Sequence, residues 1–169
     1  NKDTVVGSYY ATTPIENSDL VKVVNAVATV NGVGYATLQA AINAANAGDT
    51  LTLLADITSS EIIVIDKAIT LDGNGNTITS TAARAINVSG ANGVTIKNLT
   101  INASGERAIN VIQKPANVTI DNVTATAANY TLNVAASAKG AIVTVKNSEL
   151  SGLCTVNAAS EGVHITVDS

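Results

Sequence analysis

The chain has 169 residues, a formal net charge of −4 and a hydrophobic content of 46%, without any Phe, Trp or Met. This length suffices for one domain with an apolar core. The acidic balance disfavours a nucleic-acid partner, which would require a basic surface, and no apolar run reaches the ~18 residues of a membrane span. The single cysteine, Cys154, cannot form an internal disulfide. The sequence indicates no cofactor and no metal.

The first segment, residues 1–19, is polar and irregular, and we interpret it as a linker or as the tail of a preceding segment. Residues 20–169 are predicted to form a single domain. The chain does not begin with Met and carries no signal peptide, so we expect a processed product or a fragment. Residues 20–35 are rich in β-formers, and Asn31-Gly32 within them predicts a type I′ hairpin, because both residues tolerate positive φ angles.

A short helix is predicted over residues 37–48, which together with the hairpin forms an N-terminal cap over residues 20–48. Thr37 is a suitable N-cap residue and Gly48 a suitable C-cap glycine. The apolar residues of this segment fall at i, i+3, i+4 and i+7, which gives one apolar face. They are Leu38, Ala41, Ile42 and Ala45.

Residues 49–169 are self-similar. The segment Arg84-Ala-Ile-Asn-Val88 recurs at 107–111, 130–134 and 154–158, and the segment Val94-Thr-Ile-Lys-Asn98 has counterparts at 69–73, 118–122, 143–147 and 165–169. The copies follow one another too closely for a βαβ unit, which takes about 30 residues or more. Each alternates apolar and polar side chains, as a half-buried strand does. The pattern predicts an all-β, right-handed parallel β-helix of about five coils, in which equivalent strands stack.

Stacking would align three rows of polar side chains along the solenoid axis. We expect the two asparagine rows to form amide ladders. The third row alternates in charge at every coil, which favours ion pairs between neighbours. The rows are Asn87, Asn110, Asn133 and Asn157; Asn98, Asn122 and Asn147; and Asp72, Lys97, Asp121, Lys146 and Asp168.

The segment from Tyr35 to Leu51, preceded by Val30-Asn-Gly-Val, resembles the helix and first strand that cap right-handed β-helices of the pectin-lyase-like superfamily. The resemblance extends over about residues 28–169. The same segment is also similar to modules of large bacterial surface proteins. The resemblance implies the β-helix fold. It leaves the function open, because this fold hosts lyases, hydrolases, adhesins and scaffolds.

Candidate catalytic groups are scattered. The acidic residues form no cluster of the kind a calcium-dependent lyase needs, and Glu106, Glu149 and Glu161 suggest no pair. His164 has no implied partner, and we interpret Cys154 as a small packed side chain. Gly73-Asn-Gly75 is interpreted as a tight turn. No catalytic residue is therefore assigned.

Arg84 and Arg107 occupy equivalent positions in adjacent repeats, and Tyr130 follows in the same row. Two stacked guanidinium groups could hold a carboxylate or sulfate of an acidic glycan. We therefore predict a non-catalytic structural or adhesive module of an extracellular or cell-surface bacterial protein, with a surface glycan or another cell-surface component as partner. The alternative is a fragment of a polysaccharide lyase or glycoside hydrolase of the same fold. We also expect further sequence or another chain to cover the last coil, because an open end exposes core.

Overall fold

The computed structural model describes residues 25–114 and 116–168; the predicted linker at 1–19 and the first residues of the predicted hairpin region lie outside this part. The described part is built from strands and a single helix. In chain order the elements are β1 (Ala28–Val30), β2 (Val33–Tyr35), α1 (Leu38–Ala44), β3 (Thr50–Leu53), β4 (Ile57–Ser59), β5 (Ile63–Ile65), β6 (Thr70–Asp72), β7 (Thr77–Ser80), β8 (Arg84–Ser89), β9 (Asn92–Ala103), β10 (Arg107–Ile112), β11 (Asn117–Val134), β12 (Ile142–Lys146), β13 (Glu149–Ala158) and β14 (His164–Asp168).

The strands form three parallel stacks that run along one axis. Sheet 1 contains β3, β6, the first part of β9, the first part of β11, β12 and β14. Sheet 2 contains β4, β7 and the later parts of β9 and β11, followed by the first part of β13. Sheet 3 contains β5, β8, β10, the end of β11 and the end of β13. The predicted parallel β-helix of about five coils is confirmed.

The core lies inside the three sheets and consists of stacked aliphatic rows. In sheet 1 the residues in register with Leu71 are Leu51, Ile96, Ile120 and Val145, and all five are at most 3% exposed. Burying one such side chain contributes about 1.5–3 kcal/mol. Strand spacing is ~4.8 Å, so one aliphatic residue per coil fills each row without a gap, which explains why the core needs no Phe or Trp.

The N-terminal hairpin and helix close one end of the solenoid. Strand β1 pairs antiparallel with β2 and, on its other side, antiparallel with β3. The turn residues Asn31 and Gly32 have φ angles of 51° and 78°, which confirms the predicted primed turn. Thr37 is the N-cap, and its Oγ1 accepts a hydrogen bond of 3.1 Å from the N–H of Ala40.

The predicted end of the helix at Gly48 is wrong, because α1 ends at Ala44. Gly48 lies in the following turn with a φ of 92°, and its N–H donates to the carbonyl of Ala68. The last helical carbonyls are satisfied by a side chain from the first coil instead. The Lys67 ammonium donates to the carbonyls of Ile42, Asn43 and Ala45 at 3.2, 2.7 and 2.9 Å. A cation at the helix C-terminus thus replaces the expected glycine cap.

Candidate ligand-binding face

Sheet 3 carries a continuous ladder of asparagine amides. Asn110 donates through Nδ2 to Oδ1 of Asn87 at 2.8 Å. Asn133 donates to Asn110 in the same way, and Asn157 to Asn133, both at 2.6 Å. Asn110 and Asn133 are buried, so each amide exchanges hydrogen bonds with water for bonds to its neighbours. The ladder thus helps to fix the register of four successive coils along the solenoid axis.

The second asparagine row serves a different purpose. Asn98, Asn122 and Asn147 have φ angles of 51°, 53° and 50°, in the left-handed region that asparagine tolerates better than most residues. Their bonds do not form an uninterrupted amide ladder, contrary to expectation. Asn122 Nδ2 donates to Asn98 Oδ1 at 2.9 Å, whereas Asn147 Nδ2 donates to Oδ1 of Asp121 at 3.0 Å. The residue type in this row is therefore set by the left-handed bend between sheets 1 and 2, which for Asn98 and Asn122 lies within β9 and β11.

The charged row forms two separate ion pairs. Lys97 Nζ lies 3.1 Å from an Asp72 oxygen, and Lys146 Nζ lies 3.1 Å from an Asp121 oxygen. Asp168 is in register with Lys146 but forms no ion pair within the described part of the chain. Each residue of this row was expected to contact the charged residues of both neighbouring coils. Separate pairs form instead, because each lysine ammonium turns toward the aspartate of the preceding coil.

The pKa values of both paired aspartates are lowered. Burial raises the pKa of Asp72, but hydrogen bonds from the N–H of Asn74, the amide of Asn98 and Lys97 outweigh that effect. The pKa of Asp121 is lowered mainly by the amide hydrogen bond from Asn147, and then by Lys146. Both carboxylates are therefore held in the ionised form by their amide and lysine partners.

Arg84, Arg107 and Tyr130 lie in register on neighbouring strands of sheet 3. Arg107 is confined: its side chain is 19% exposed, its Nη1 lies 3.2 Å from a Glu106 carboxylate oxygen, and its Cζ lies 5.6 Å from the centre of the Tyr130 ring. The Arg107 Nε is buried without a hydrogen-bond partner. Arg84 forms no ion pair with any residue of the described part. The Arg107 guanidinium is thus held in place, whereas the Arg84 guanidinium is available to bind a ligand.

Both arginines border a surface depression of about 270 Å³ that the asparagine ladder also lines. Two guanidinium groups and one carboxylate meet here, so the local charge is positive on a chain whose net charge is −4. Arginine forks and amide groups are ligands for carboxylates, sulfates and sugar hydroxyls. The sequence suggested the arginines and the ladder separately, but not that they share a depression. Its lining residues are Arg84, Asn87, Arg107, Asn110, Ile112, Asn133 and Ala135.

The remaining candidates lie apart from this face. His164 is exposed at the start of β14, and the Cys154 thiol donates to the carbonyl of Val156. Asn74 and Gly75 form a turn with φ angles of 51° and 80°, as the Gly-Asn-Gly sequence predicted. Among the described residues no group of three or more His, Cys, Asp or Glu side chains is arranged to hold a metal ion. Residues 25–114 and 116–168 contain no helix of the length and apolarity needed to span a membrane.

Comparison with known proteins gives one family match. The model of the family described as "Putative pectate lyase-like adhesive domain" matches residues 28–134. Comparisons with curated proteins and with solved structures give no significant match. The matched segment runs from β1 to the end of β11, so it includes the cap, the first coils and the whole of the arginine row. It covers more than half of the chain, and the chain therefore belongs to this family of pectate lyase-like adhesive domains.

Proposed function

We propose that this adhesive domain works outside the cell, as a non-catalytic module that contacts acidic glycans through Arg84, Arg107 and Tyr130. The observation that carries the proposal is the in-register pair of guanidinium groups beside an amide-lined depression. The carboxylate or sulfate of an acidic sugar would accept hydrogen bonds from Arg84, while Arg107 supplies fixed positive charge. The adhesive family supports a surface-exposed role.

The depression lies open at the protein surface, and most of the donors that line it are preorganised. The Arg107 guanidinium is held by Glu106 and by the Tyr130 ring, and the Asn110 and Asn133 amides are fixed by their ladder. A ligand therefore orders few side chains when it binds, which limits the entropic cost. The lack of further aromatic side chains in this row favours recognition by charge over stacking on sugar faces.

The test is binding of acidic and neutral oligosaccharides to the full chain, measured by calorimetry at low and physiological salt. We expect the acidic glycans to bind, with an affinity that falls as ionic strength rises. The Arg84→Ala/Arg107→Ala variant should lose at least about tenfold in affinity, since hydrogen bonds to charged groups contribute about 1.5–3 kcal/mol each. The matched control is Lys114→Ala/Lys139→Ala, which removes the same charge from exposed positions away from the depression.

Binding that is unchanged in the arginine variant, or lowered equally in the lysine variant, would contradict the proposed site. Absence of binding to any acidic glycan would contradict the ligand class. Cleavage of an acidic polysaccharide by the chain would contradict the non-catalytic role.

A further inference from the structure

A second depression lies at the bend between sheets 1 and 2 and shares no residue with the depression beside the arginines. Its volume is about 430 Å³, within the roughly 300–1,000 Å³ typical of small-molecule sites. Three successive coils line it, and two of them contribute an asparagine and the threonine two positions later. The polar lining residues are Asn74 with Gly75, Asn98 with Thr100, and Asn122 with Thr124.

One end of this depression is formed by a longer turn. The bend at residues 73–76 is two residues longer than the matching bend at 98–99 of the next coil. The Gly75 N–H donates to the carbonyl of Asn98 at 2.9 Å, which ties the longer turn to that coil. The depression therefore has a fixed wall at this end and extends from it along the solenoid axis.

Polar groups of the depression lack partners among the described residues. Asn122 donates to Asn98, but its own Oδ1 receives no hydrogen bond within residues 25–114 and 116–168. The hydroxyls of Thr100 and Thr124 form no hydrogen bond there either, and both side chains reach the surface. A hydroxyl both donates and accepts, and an amide oxygen accepts, so these groups complement the hydroxyls of a sugar.

The surroundings of the depression favour an uncharged ligand. On the side of sheet 1, Asp72 and Asp121 are already paired with lysines. On the side of sheet 2, the threonine row continues to Glu149, an exposed carboxylate that would repel an acidic sugar. The outward side chains of sheet 2 in β7, β9 and β11 carry only hydroxyls and amides. They are Thr77, Thr100 and Thr124 in one row, and Thr79, Asn102 and Thr126 in the next.

We propose that this depression binds a neutral, β-linked oligosaccharide that lies along the solenoid axis. The strands stack at ~4.8 Å, a distance close to the advance of an extended β-linked glycan per sugar residue. Neighbouring sugars would then meet the same pair of side chains from neighbouring coils, Asn98 with Thr100 and Asn122 with Thr124. No aromatic side chain lines the depression, so hydrogen bonds alone hold the ligand and we expect millimolar affinity.

The test is titration of the full chain with cellotriose, followed through the chemical shifts of the backbone amides. We expect saturable changes at residues 98–100 and 122–124 and none in the arginine row. Thr100→Val/Thr124→Val keeps the β-branched shape of both side chains and removes both hydroxyls, so it should weaken binding by about fivefold or more. Maltotriose, whose α-linkages curve the sugar chain away from a straight axis, should bind more weakly than cellotriose.

The matched control is Thr95→Val/Thr119→Val, which makes the same substitution in the same two strands, on the outer face of sheet 1. It should leave the affinity for cellotriose unchanged. Arg84→Ala/Arg107→Ala should also leave it unchanged, so failure of this site is distinguishable from failure of the acidic-glycan face. The comparison of the two sugars uses the unaltered chain and does not depend on any variant folding.

The proposal would be overturned if cellotriose caused no saturable change, or if maltotriose bound equally well. An equal loss of affinity in the sheet 1 control would overturn it too, because the two hydroxyls of the depression would then have no special part in binding. Changes confined to the arginine row would assign the neutral sugar to the other face. Saturable binding that is weakened only by Thr100→Val/Thr124→Val supports the proposal.

Discussion

At the scale of single residues, asparagine has two different structural roles, although both asparagine rows recur once per repeat and look alike in the sequence. Asn110 and Asn133 are buried and bond only to other asparagine side chains of their row. Asn98 and Asn122 lie at bends within β9 and β11, where the left-handed backbone decides the residue type. The first role depends on the side chain as donor and acceptor, and the second depends on the tolerance of its backbone.

Replacing Asn110 tests the first role. In Asn110→Ala the Oδ1 of Asn87 loses its donor and the amide of Asn133 loses its acceptor. Buried polar groups left without partners cost about 1–3 kcal/mol each, so we expect the free energy of unfolding to fall by about 2–3 kcal/mol in urea titrations followed by circular dichroism. The control Asn102→Ala removes an exposed amide and should change stability by no more than about 0.5 kcal/mol. Equal effects of the two substitutions would exclude the ladder as a source of stability.

At the scale of elements, the bends between strands stack as closely as the strands themselves. Between β9 and β10 the backbone passes so near the preceding coil that a Cβ on Gly105 would lie 2.9 Å from the carbonyl carbon of Ala82 and closer still to its oxygen. The neighbours here are backbone atoms, which cannot turn aside. The bend also precedes Arg107, whose N–H bonds the carbonyl of Ala83 in the preceding coil. Close stacking at this bend therefore also positions the arginine row.

Gly105→Ala should destabilise the fold by about 3 kcal/mol, because overpacking against backbone forces neighbouring coils apart. Gly140→Ala is the matched comparison: nothing lies within 4 Å of its added Cβ, and its φ of 73° costs only the left-handed penalty of about 1 kcal/mol. Thermal unfolding and urea titration would measure both. A smaller loss for Gly105→Ala than for Gly140→Ala would contradict the steric explanation.

At the scale of the whole molecule, hydrogen bonds and charges along the axis join successive coils whose matching residues are distant in the sequence. The Asp72–Lys97 pair links β6 to β9, and the Asp121–Lys146 pair links β11 to β12. Each coil otherwise contacts only its neighbours, so stability is a sum of coil and interface contributions. Within that sum, the interactions of Asp72 and Asp121 in the charged row respond to pH.

Acid should weaken the stack. The pKa of Asp72 and that of Asp121 are lower in the folded chain, so their stabilisation is fully present above the unfolded pKa of about 4 and is lost as the pH falls through the folded pKa. We expect the urea concentration at the midpoint of unfolding to decrease as the pH is lowered from 5 to 2. At pH 7 the Asp72→Asn variant should be less stable by about 1 kcal/mol, the upper end of the range for surface ion pairs, because this pair is half-buried, and its midpoint should depend less on pH.

Asp66→Asn is the control for this experiment, since it removes the same charge from an exposed aspartate that makes no ion pair among the described residues. It should leave the acid-induced loss of stability unchanged. If Asp72→Asn retained the full pH dependence of the parent chain, the loss could not be attributed to this pair.

The sequence by itself determined the parallel stack, the hairpin turn, the N-cap at Thr37 and the rows along the axis. Repetition at a nearly constant spacing places equivalent side chains above one another, so the alternation of apolar and polar residues is enough to define the core. It also determined that Arg84, Arg107 and Tyr130 would share a row.

Only the tertiary structure decided the contacts that cross between rows. Lys67 caps a helix that ends well before it in the sequence, and Asn147 bonds Asp121 instead of Asn122. The depression formed by the arginines and the amide ladder likewise depends on how far two rows of sheet 3 lie from each other. Repetition specifies which residues stack along the axis, whereas side-chain conformation around each coil is chosen by local packing and by competition among hydrogen-bond partners. That competition is settled only once the coils are assembled.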